Sequence, residues 1–279
     1  IKRRWDSRMA HSIFAVLAGL FGLLLGSFLN VCIVRLPRDL SVVRPRSYCP
    51  ACRHQIAWYD NIPVLSYLIL RGRCRNCHTV IHWRYLLVEL TTGLLFFLVA
   101  LQFGLSWEAG KWAIFACILT VLFWTDFEAR LLPDELTLGG ILIGLGFAVW
   151  VPLDPELSAI VAPSLRLPWS SLFDAASATV VLAGPLWLLG EVYWRLRKRE
   201  GLGLGDVKLV AMMSTFLGVN RSLITLIAAS VGGSVISLFY LALTKKDAST
   251  YRLPFGTFLC GAGLLAIFLG SYFARWLRG

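Results

Sequence analysis

Residues 12–34 read SIFAVLAGLFGLLLGSFLNVCIV, an apolar stretch without a single charged side chain. Because an α-helix rises about 1.5 Å per residue, a helix of this length crosses the ~30 Å hydrocarbon core of a bilayer. Residues 222–244 and 253–274 are of similar length and also carry no charge. These three stretches therefore predict membrane-spanning helices.

Shorter apolar runs with little or no charge lie between these stretches, at residues 90–107, 112–125, 136–151, 175–194 and 207–219. With 57% hydrophobic and 15% charged residues, the composition exceeds what a soluble core of 279 residues requires. We therefore expect an all-α polytopic membrane protein with about eight transmembrane helices. Runs 112–125 and 207–219 are short, so they reach full length only with polar residues or form partial spans beside a cavity.

The excess of 27 Lys and Arg over 16 Asp and Glu orients these spans. Eight crossings put 18 basic residues on the side of the loop at residues 35–84 and nine on the other side. The positive-inside rule then predicts that this loop is cytoplasmic and both termini are outside, although the basic residues before the first helix favour the reverse. The charge flanks membrane segments, which indicates a lipid bilayer rather than nucleic acid as the partner.

The same loop contains two Cys-x-x-Cys pairs, Cys49 with Cys52 and Cys74 with Cys77. Four thiolates at this spacing can surround one zinc ion at about 2.3 Å, and the metal would supply folding free energy that a small loop lacks. Two disulfides or four reduced thiols are alternatives, and a cytoplasmic location disfavours disulfides. A further alternative replaces one ligand by a nearby histidine, either His54, His78 or His82.

Two carboxylates lie at the ends of apolar runs. Asp206 closes the glycine-rich break at residues 201–206, and Asp126 ends the run at 112–125. In the predicted topology both helix ends reach the cytoplasmic face. Two neighbouring carboxylates share a proton rather than ionise together, which suits general acid and base hydrolysis of a peptide.

Other interpretations of these acidic residues stay open at this point. Asp206 is also suited to cap a helix that starts at Val207, whereas Asp126 stands at a helix C-terminus, where the dipole disfavours a negative charge. Asp134 follows Pro133 and is typical of a helix start. A proton or ion relay in a membrane carrier would use buried carboxylates equally well.

Several motifs together resemble those of the bacterial type IV prepilin peptidases. They are Gly26–Val31, the two Cys-x-x-Cys pairs, residues 58–66, 70–74 and 84–90, Leu132-Pro133-Asp134, residues 203–208 and Pro254-Phe255-Gly256. The resemblance implies an inner-membrane enzyme that removes the leader of type IV prepilins and type II secretion pseudopilins. It also implies methylation of the new N-terminal residue by S-adenosylmethionine.

The resemblance assigns the catalytic positions to Asp126 and Asp206, with Asp134 as second choice for the first of them. It implies three regions: a first transmembrane helix at residues 1–34, a zinc-binding, methyltransferase-like loop at 35–89 and a peptidase domain at 90–279. Asp60 and Glu89 are candidates for the cofactor site only because they are acidic residues in matching stretches. A presenilin-like intramembrane protease, a carrier and a purely methylating relative remain alternatives.

Overall fold

The computed structural model describes residues 2–198, 201, 203–244 and 254–276. The chain divides between Val121 and Leu122 into two compact units. We call them the N-terminal unit, Ile1–Val121, and the C-terminal unit, Leu122–Gly279.

Helix α1 (Lys2–Arg35) is the first element of the N-terminal unit. It is followed by short 3-10 helices at Leu36–Arg38 and Trp58–Asn61, and by α2 (Leu65–Ile69), α3 (Arg84–Phe103) and the start of α4 (Trp107–Ala129). Helices α1 and α3 approach closely because glycines face the contact: a Cβ added to Gly26 would lie 2.7 Å from the Cα of Glu89. Small residues at such interfaces let membrane helices pack backbone to backbone.

The polar segment between α1 and α3 has no strand in the part of the chain described here, and it contains two isolated bridges. Tyr48 pairs with Gln55, and Arg73 pairs with Val80. These pairs stand 25 positions apart, as do the first cysteines of the two Cys-x-x-Cys pairs. The segment therefore repeats one small turn structure twice.

The C-terminal unit begins with the end of α4. It continues through α5 (Asp134–Trp150), α6 (Leu157–Val161), α7 (Trp169–Arg197), α8 (Leu204–Thr244) and α9 (Phe255–Trp276). Val207 and Ala211 of α8 pack with Ala183 of α7, and partly buried Ile141 and Leu186 extend this cluster. The apolar contacts fix the start of α8 against α5 and α7.

The all-helical membrane class is confirmed, but the count of eight spans is not. Within the described ranges, five helices are long and apolar enough to cross a membrane: α1, α3, α4, α7 and α8. Helix α5 has 17 residues and the apolar part of α9, Phe255–Leu269, is shorter still. The runs expected at 207–219 and 222–244 correspond to the two parts of α8, which a kink at Gly218 separates.

A break interrupts α8 at Gly218, whose backbone has φ 78° and ψ −177°. The Glu156 carboxylate accepts hydrogen bonds from the backbone N–H groups of Val219 (2.6 Å) and Asn220 (3.2 Å), just beyond this break. A carboxylate at a helix N-terminus satisfies N–H groups that the helix leaves unpaired. Glu156 therefore stabilises the start of the second part of α8, and the break explains why the sequence suggested two separate runs.

Candidate active site and metal centre

Asp126 lies in the last turn of α4 and is only 6% exposed. Its Oδ2 atom accepts hydrogen bonds from both the backbone N–H of Thr257 (2.5 Å) and the Thr257 hydroxyl (2.8 Å). Thr257 belongs to the first turn of α9, where backbone N–H groups have no helical acceptor. The N-terminus of α9 thus compensates the unfavourable position of Asp126 at the end of α4.

Asp206 is half-buried and lies in the first turn of α8. Helix α8 starts at Leu204 rather than Val207, so the interpretation of Asp206 as the cap of a helix starting at Val207 is wrong. The acidic side chain instead gains from the dipole of the first turn, in which the Asp206 N–H bonds the Gly203 carbonyl at 3.1 Å. The carboxylates of Asp206 and Asp126 lie close enough to interact electrostatically.

Small and apolar groups from three segments enclose this carboxylate pair. A Cβ added to Gly256 would lie 3.0 Å from the Oδ2 atom of Asp126, so only glycine fits there without a shift. Leu132 lies against both Gly256 and Gly205, between the starts of α9 and α8. Cys260 is fully buried one turn farther along α9, near both carboxylates. The pair is therefore held by the ends of α4, α8 and α9 within the C-terminal unit.

Asp134 differs from Asp126 and Asp206 because its side chain is exposed and forms an ion pair with Lys208. Its carboxylate accepts bonds from Lys208 Nζ at 2.7 and 2.8 Å, with 57% of the Asp134 side chain exposed. Asp134 begins α5, as its position after Pro133 indicated. An exposed ion pair of this kind contributes about 0–1 kcal/mol, so the contact orients the starts of α5 and α8 more than it stabilises them.

Thr257 and Cys260 are the site residues that our sequence reasoning missed. Thr257 directly follows the motif Pro254-Phe255-Gly256, so the motif was a usable signal for a contact with the carboxylates. Cys260 sits in an apolar run, where a free cysteine is typical of an ordinary packed residue. No local pattern distinguishes it from Cys32 or Cys117.

The four loop cysteines come together in the N-terminal unit. Their Sγ atoms all lie within 4.8 Å of one another, and those of Cys49 and Cys77 are 3.8 Å apart. A tetrahedral site with metal–sulfur bonds of about 2.3 Å has edges of about 3.8 Å. The donor set and its spacing therefore fit one zinc ion.

The two Cys-x-x-Cys turns have equivalent backbone geometry. The Cys49 N–H donates to the His54 carbonyl and the Cys74 N–H to the Thr79 carbonyl, each at 2.9 Å. Arg53 and His78, each the fourth residue after the first cysteine of its pair, have positive φ values of 57° and 56°. Two matching turns present two sulfurs each, which is the arrangement that a four-thiolate site requires.

The same geometry argues against two disulfides and against a histidine ligand at these cysteines. All seven cysteines of the chain are free, and a separation of 3.8 Å is far beyond the ~2.05 Å of a disulfide. The cluster found among the described residues consists of cysteines without a histidine. A hydrogen bond with the Thr79 hydroxyl lowers the pKa of Cys77 to about 6, whereas burial and the neighbouring Cys74 and Cys52 thiols raise the pKa of Cys49 to about 11. Without a metal, the cluster therefore favours a thiolate at Cys77 and a thiol at Cys49.

Asp60 and Glu89 both engage protein groups. Arg75 binds Asp60 through Nε (3.1 and 2.8 Å) and a terminal nitrogen (2.6 Å), and this contact holds the pKa of Asp60 below its usual range. Glu89 is buried, and its Oε2 atom accepts a 2.7 Å bond from the Val64 N–H. Asp60 thus joins the 3-10 helix Trp58–Asn61 to the second cysteine turn, and Glu89 joins the loop to α3.

The fold and the sites define a polytopic, all-helical membrane enzyme with a carboxylate pair at its helix ends and a four-cysteine cluster in its first loop. The family model described as "Bacterial Peptidase A24 N-terminal domain" matches residues 20–103, and the one described as "Type IV leader peptidase family" matches residues 113–238. The chain belongs to the type IV leader peptidase family.

Similar curated proteins carry the name prepilin leader peptidase/N-methyltransferase. The one from Myxococcus xanthus is 40% identical over 234 residues, which are 84% of this chain and 65% of that protein. The one from Stutzerimonas stutzeri is 36% identical over 284 residues (92% and 91%), and that from Pseudomonas aeruginosa is 33% identical over 294 residues (97% and 96%). No solved structure matches the chain.

Proposed function

We propose that this chain removes the leader peptide of type IV prepilins and type II secretion pseudopilins, and that Asp126 and Asp206 perform the hydrolysis. The observation that carries the proposal is the convergence of these two carboxylates at the ends of α4 and α8, with the start of α9 against them. Relatives named prepilin leader peptidase/N-methyltransferase support the substrate class.

In the proposed mechanism Asp126 is the general base. Thr257 donates two hydrogen bonds to its Oδ2 atom, and such donors stabilise a negative charge on the carboxylate. Asp126 takes a proton from a water molecule, whose oxygen then attacks the carbonyl carbon of the scissile peptide. Asp206 gives its proton to the carbonyl oxygen. The tetrahedral intermediate then collapses as the leaving amine receives the proton held by Asp126 and one hydroxyl of the intermediate returns a proton to Asp206.

The topology that we propose places this chemistry at the cytoplasmic face of a bacterial inner membrane. Counting α5, α9 and the two parts of α8 as crossings gives eight spans, with the cysteine loop and the carboxylate pair on the same side. The basic residues of the loops favour this orientation. A substrate with a basic leader and an apolar helix would then meet the carboxylates at its leader–helix junction.

We further propose that residues 35–89 form a methyltransferase-like module following the first membrane helix at residues 1–34, with the peptidase domain at 90–279. S-adenosylmethionine would supply the methyl group for the new N-terminus. Asp60 and Glu89 stay predictions for its site, but Arg75 and the Val64 N–H already occupy their oxygens. Because both carboxylates already accept hydrogen bonds from protein groups, we derive no methylation step from Asp60 and Glu89.

The module has a complete set of candidate ligands for zinc, whereas the candidate residues for S-adenosylmethionine are already hydrogen-bonded to protein groups. Cys49, Cys52, Cys74 and Cys77 would hold it, and the ion would close the two cysteine turns into one structure. Since residues 39–57 and 70–83 contain no helix or strand, the metal would contribute folding free energy that apolar burial cannot supply there.

The test uses the full chain in detergent with a prepilin and labelled S-adenosylmethionine, following leader release and methyl incorporation separately. Asp126→Asn and Asp206→Asn are each expected to lower leader release by at least about 100-fold, because general acid or base catalysis contributes that much. Methyl incorporation into a substrate whose leader was removed beforehand should persist in both variants.

Asp134→Asn is the matched control, because it removes one carboxylate from the same face and leaves Asp126 and Asp206 intact. It is expected to keep leader release near the wild-type rate. Loss of leader release in Asp134→Asn with full activity in Asp126→Asn would transfer the first catalytic position to Asp134. Cleavage by neither wild type nor variants, together with transport of protons or ions, would favour the carrier alternative.

A further inference from the structure

We propose that residues 61–70 of the first loop lie within the bilayer, and that lipid covers their exposed apolar side chains. This segment, NIPVLSYLIL, contains α2 and has no charged residue. The topology predicted from the sequence makes residues 35–84 a cytoplasmic loop, which would lie entirely in the aqueous phase. The packing of the N-terminal unit instead places the 61–70 segment beside the membrane helices.

Glu89 fixes the depth of this segment. Its carboxylate accepts hydrogen bonds from the Val64 N–H at 2.7 Å and from the side chain of Ser27. Val64 therefore lies at the level of Ser27, eight residues inside α1 from Arg35, which is roughly 12 Å along a helix. On α3, Glu89 lies five residues beyond Arg84, the first residue of the helix, which is roughly 8 Å along the helix axis.

A cavity of about 230 Å³ adjoins the segment and extends to the polar end of α1, where Arg35, Arg46 and Ser47 line it. Asn61 and Pro63 line it together with Leu24 and Phe28 of α1. Both α1 residues lie within the candidate span Met9–Arg38 and are about half exposed, as expected of lipid-facing positions. The start of the 61–70 segment therefore shares this cavity with the part of α1 that faces lipid.

The exposed side chains of this segment have the chemistry of a lipid-facing surface. Leu65, Leu68 and Ile69 are 51%, 60% and 66% exposed. Trp58 and Tyr59, just before the segment, are also exposed and match the aromatic residues that favour the membrane interface. In water such a surface would be unfavourable, whereas it continues the apolar surface of α1 in a bilayer.

Several backbone groups of the segment are hydrogen-bonded within the protein, as a bilayer requires. Polar backbone groups exposed to lipid cost several kcal/mol unless they are bonded within the protein. Leu68 donates to the Val64 carbonyl, Leu70 to the Ser66 carbonyl, and the Val64 N–H is bonded by Glu89. Basic residues follow at once, at Arg71 and Arg73, where the chain would return to anionic headgroups.

The experiment places one fluorescent, genetically encoded amino acid at position 68 of the full chain, in vesicles of phosphatidylethanolamine and phosphatidylglycerol with brominated acyl chains. The same probe at position 17, in α1, reports a lipid-facing residue, since Leu17 is 58% exposed inside a span. The probe at position 80, where Val80 is 72% exposed in the second cysteine turn, reports the aqueous part of the loop.

We expect brominated chains to quench most of the fluorescence at positions 68 and 17 and little of it at position 80. Quenching at position 68 as weak as at position 80 would overturn the proposal. Weak quenching at position 68 combined with a spectral change on adding a prepilin would also overturn it, because the surface would then belong to the substrate. Each labelled protein must retain leader release, which shows that the probe has not unfolded the chain.

Discussion

Gly256→Ala tests the placement of Asp126 without changing a charged group. A Cβ at this position would lie 3.0 Å from both Cγ and Oδ2 of Asp126, and 3.2 Å from Cδ1 of Leu132. Non-bonded carbon atoms prefer a separation of about 3.5–4.0 Å, so the carboxylate or the start of α9 must shift by roughly 0.5 Å. The carboxylate cannot move freely because Thr257 holds its Oδ2 atom.

A displacement of this size is large for a catalytic group. Misplacement by about 1 Å can cost about 100-fold in rate, so we expect Gly256→Ala to lower kcat for leader release by about 10- to 100-fold. The KM should change less, because the substitution alters the position of the base rather than the substrate surface. Methyl incorporation into a substrate without its leader should be unchanged.

Gly261→Ala is the matched control on the same helix. A Cβ at Gly261 would have its nearest neighbour at 3.9 Å, in the ring of Phe123, which is an ordinary van der Waals contact. The assay measures kcat and KM for leader release and the thermal unfolding midpoint for each variant in detergent. Equal activity of Gly256→Ala and Gly261→Ala would refute the reasoning, as would a parallel loss of activity and thermal stability in both.

Cys49→Ser should lose bound zinc on metal analysis of the purified protein, while Cys32→Ser, buried in α1, should retain it; wild type without zinc would contradict the metal site. Gly218→Ala should cost about 1–3 kcal/mol in unfolding free energy, because residues with a Cβ avoid a φ of 78° with a ψ of −177° and the new Cβ would lie 3.3 Å from Oε2 of Glu156. Gly232→Ala, with open space around it, should cost nothing. Burial raises the pKa of Glu156, so the folded chain keeps this proton to higher pH than the unfolded chain. The stability contributed by Glu156 is thus present below its unfolded pKa and is lost as pH rises through the folded pKa. Thermal unfolding across that pH window should lose this dependence in Glu156→Gln, and an unchanged profile would contradict the assignment.

The two cysteine turns show how far local sequence can predict a site. Each pair places two sulfurs in one tight turn, so the spacing alone indicated a four-thiolate cluster, and the structure brings the four Sγ atoms together. Spacing did not reveal that Asp60 connects the loop centre to the second turn through Arg75. That contact joins residues 15 positions apart and depends on how the segment between them folds rather than on any repeat.

The helix ends around Asp206 show where local reasoning was insufficient. The glycines before Asp206 correctly indicated a break, but propensity alone placed the helix start three residues too late. The two runs predicted at 207–219 and 222–244 match the two parts of α8, which separate at Gly218, but Glu156 from a distant loop stabilises the start of the second part. No pattern within residues 204–244 contains that partner.

The sequence by itself determined the all-helical membrane class, the position of the apolar runs and the cysteine cluster, because run length and residue spacing are local properties of the chain. Only the tertiary structure decided that Thr257 holds Asp126, a contact across 131 residues, and that the 61–70 segment lies at the depth of Ser27. These relations arise from which helix faces pack together. Close approach at positions such as Gly26 and Gly256 sets that packing, and it is a property of the partners in space rather than of either segment alone.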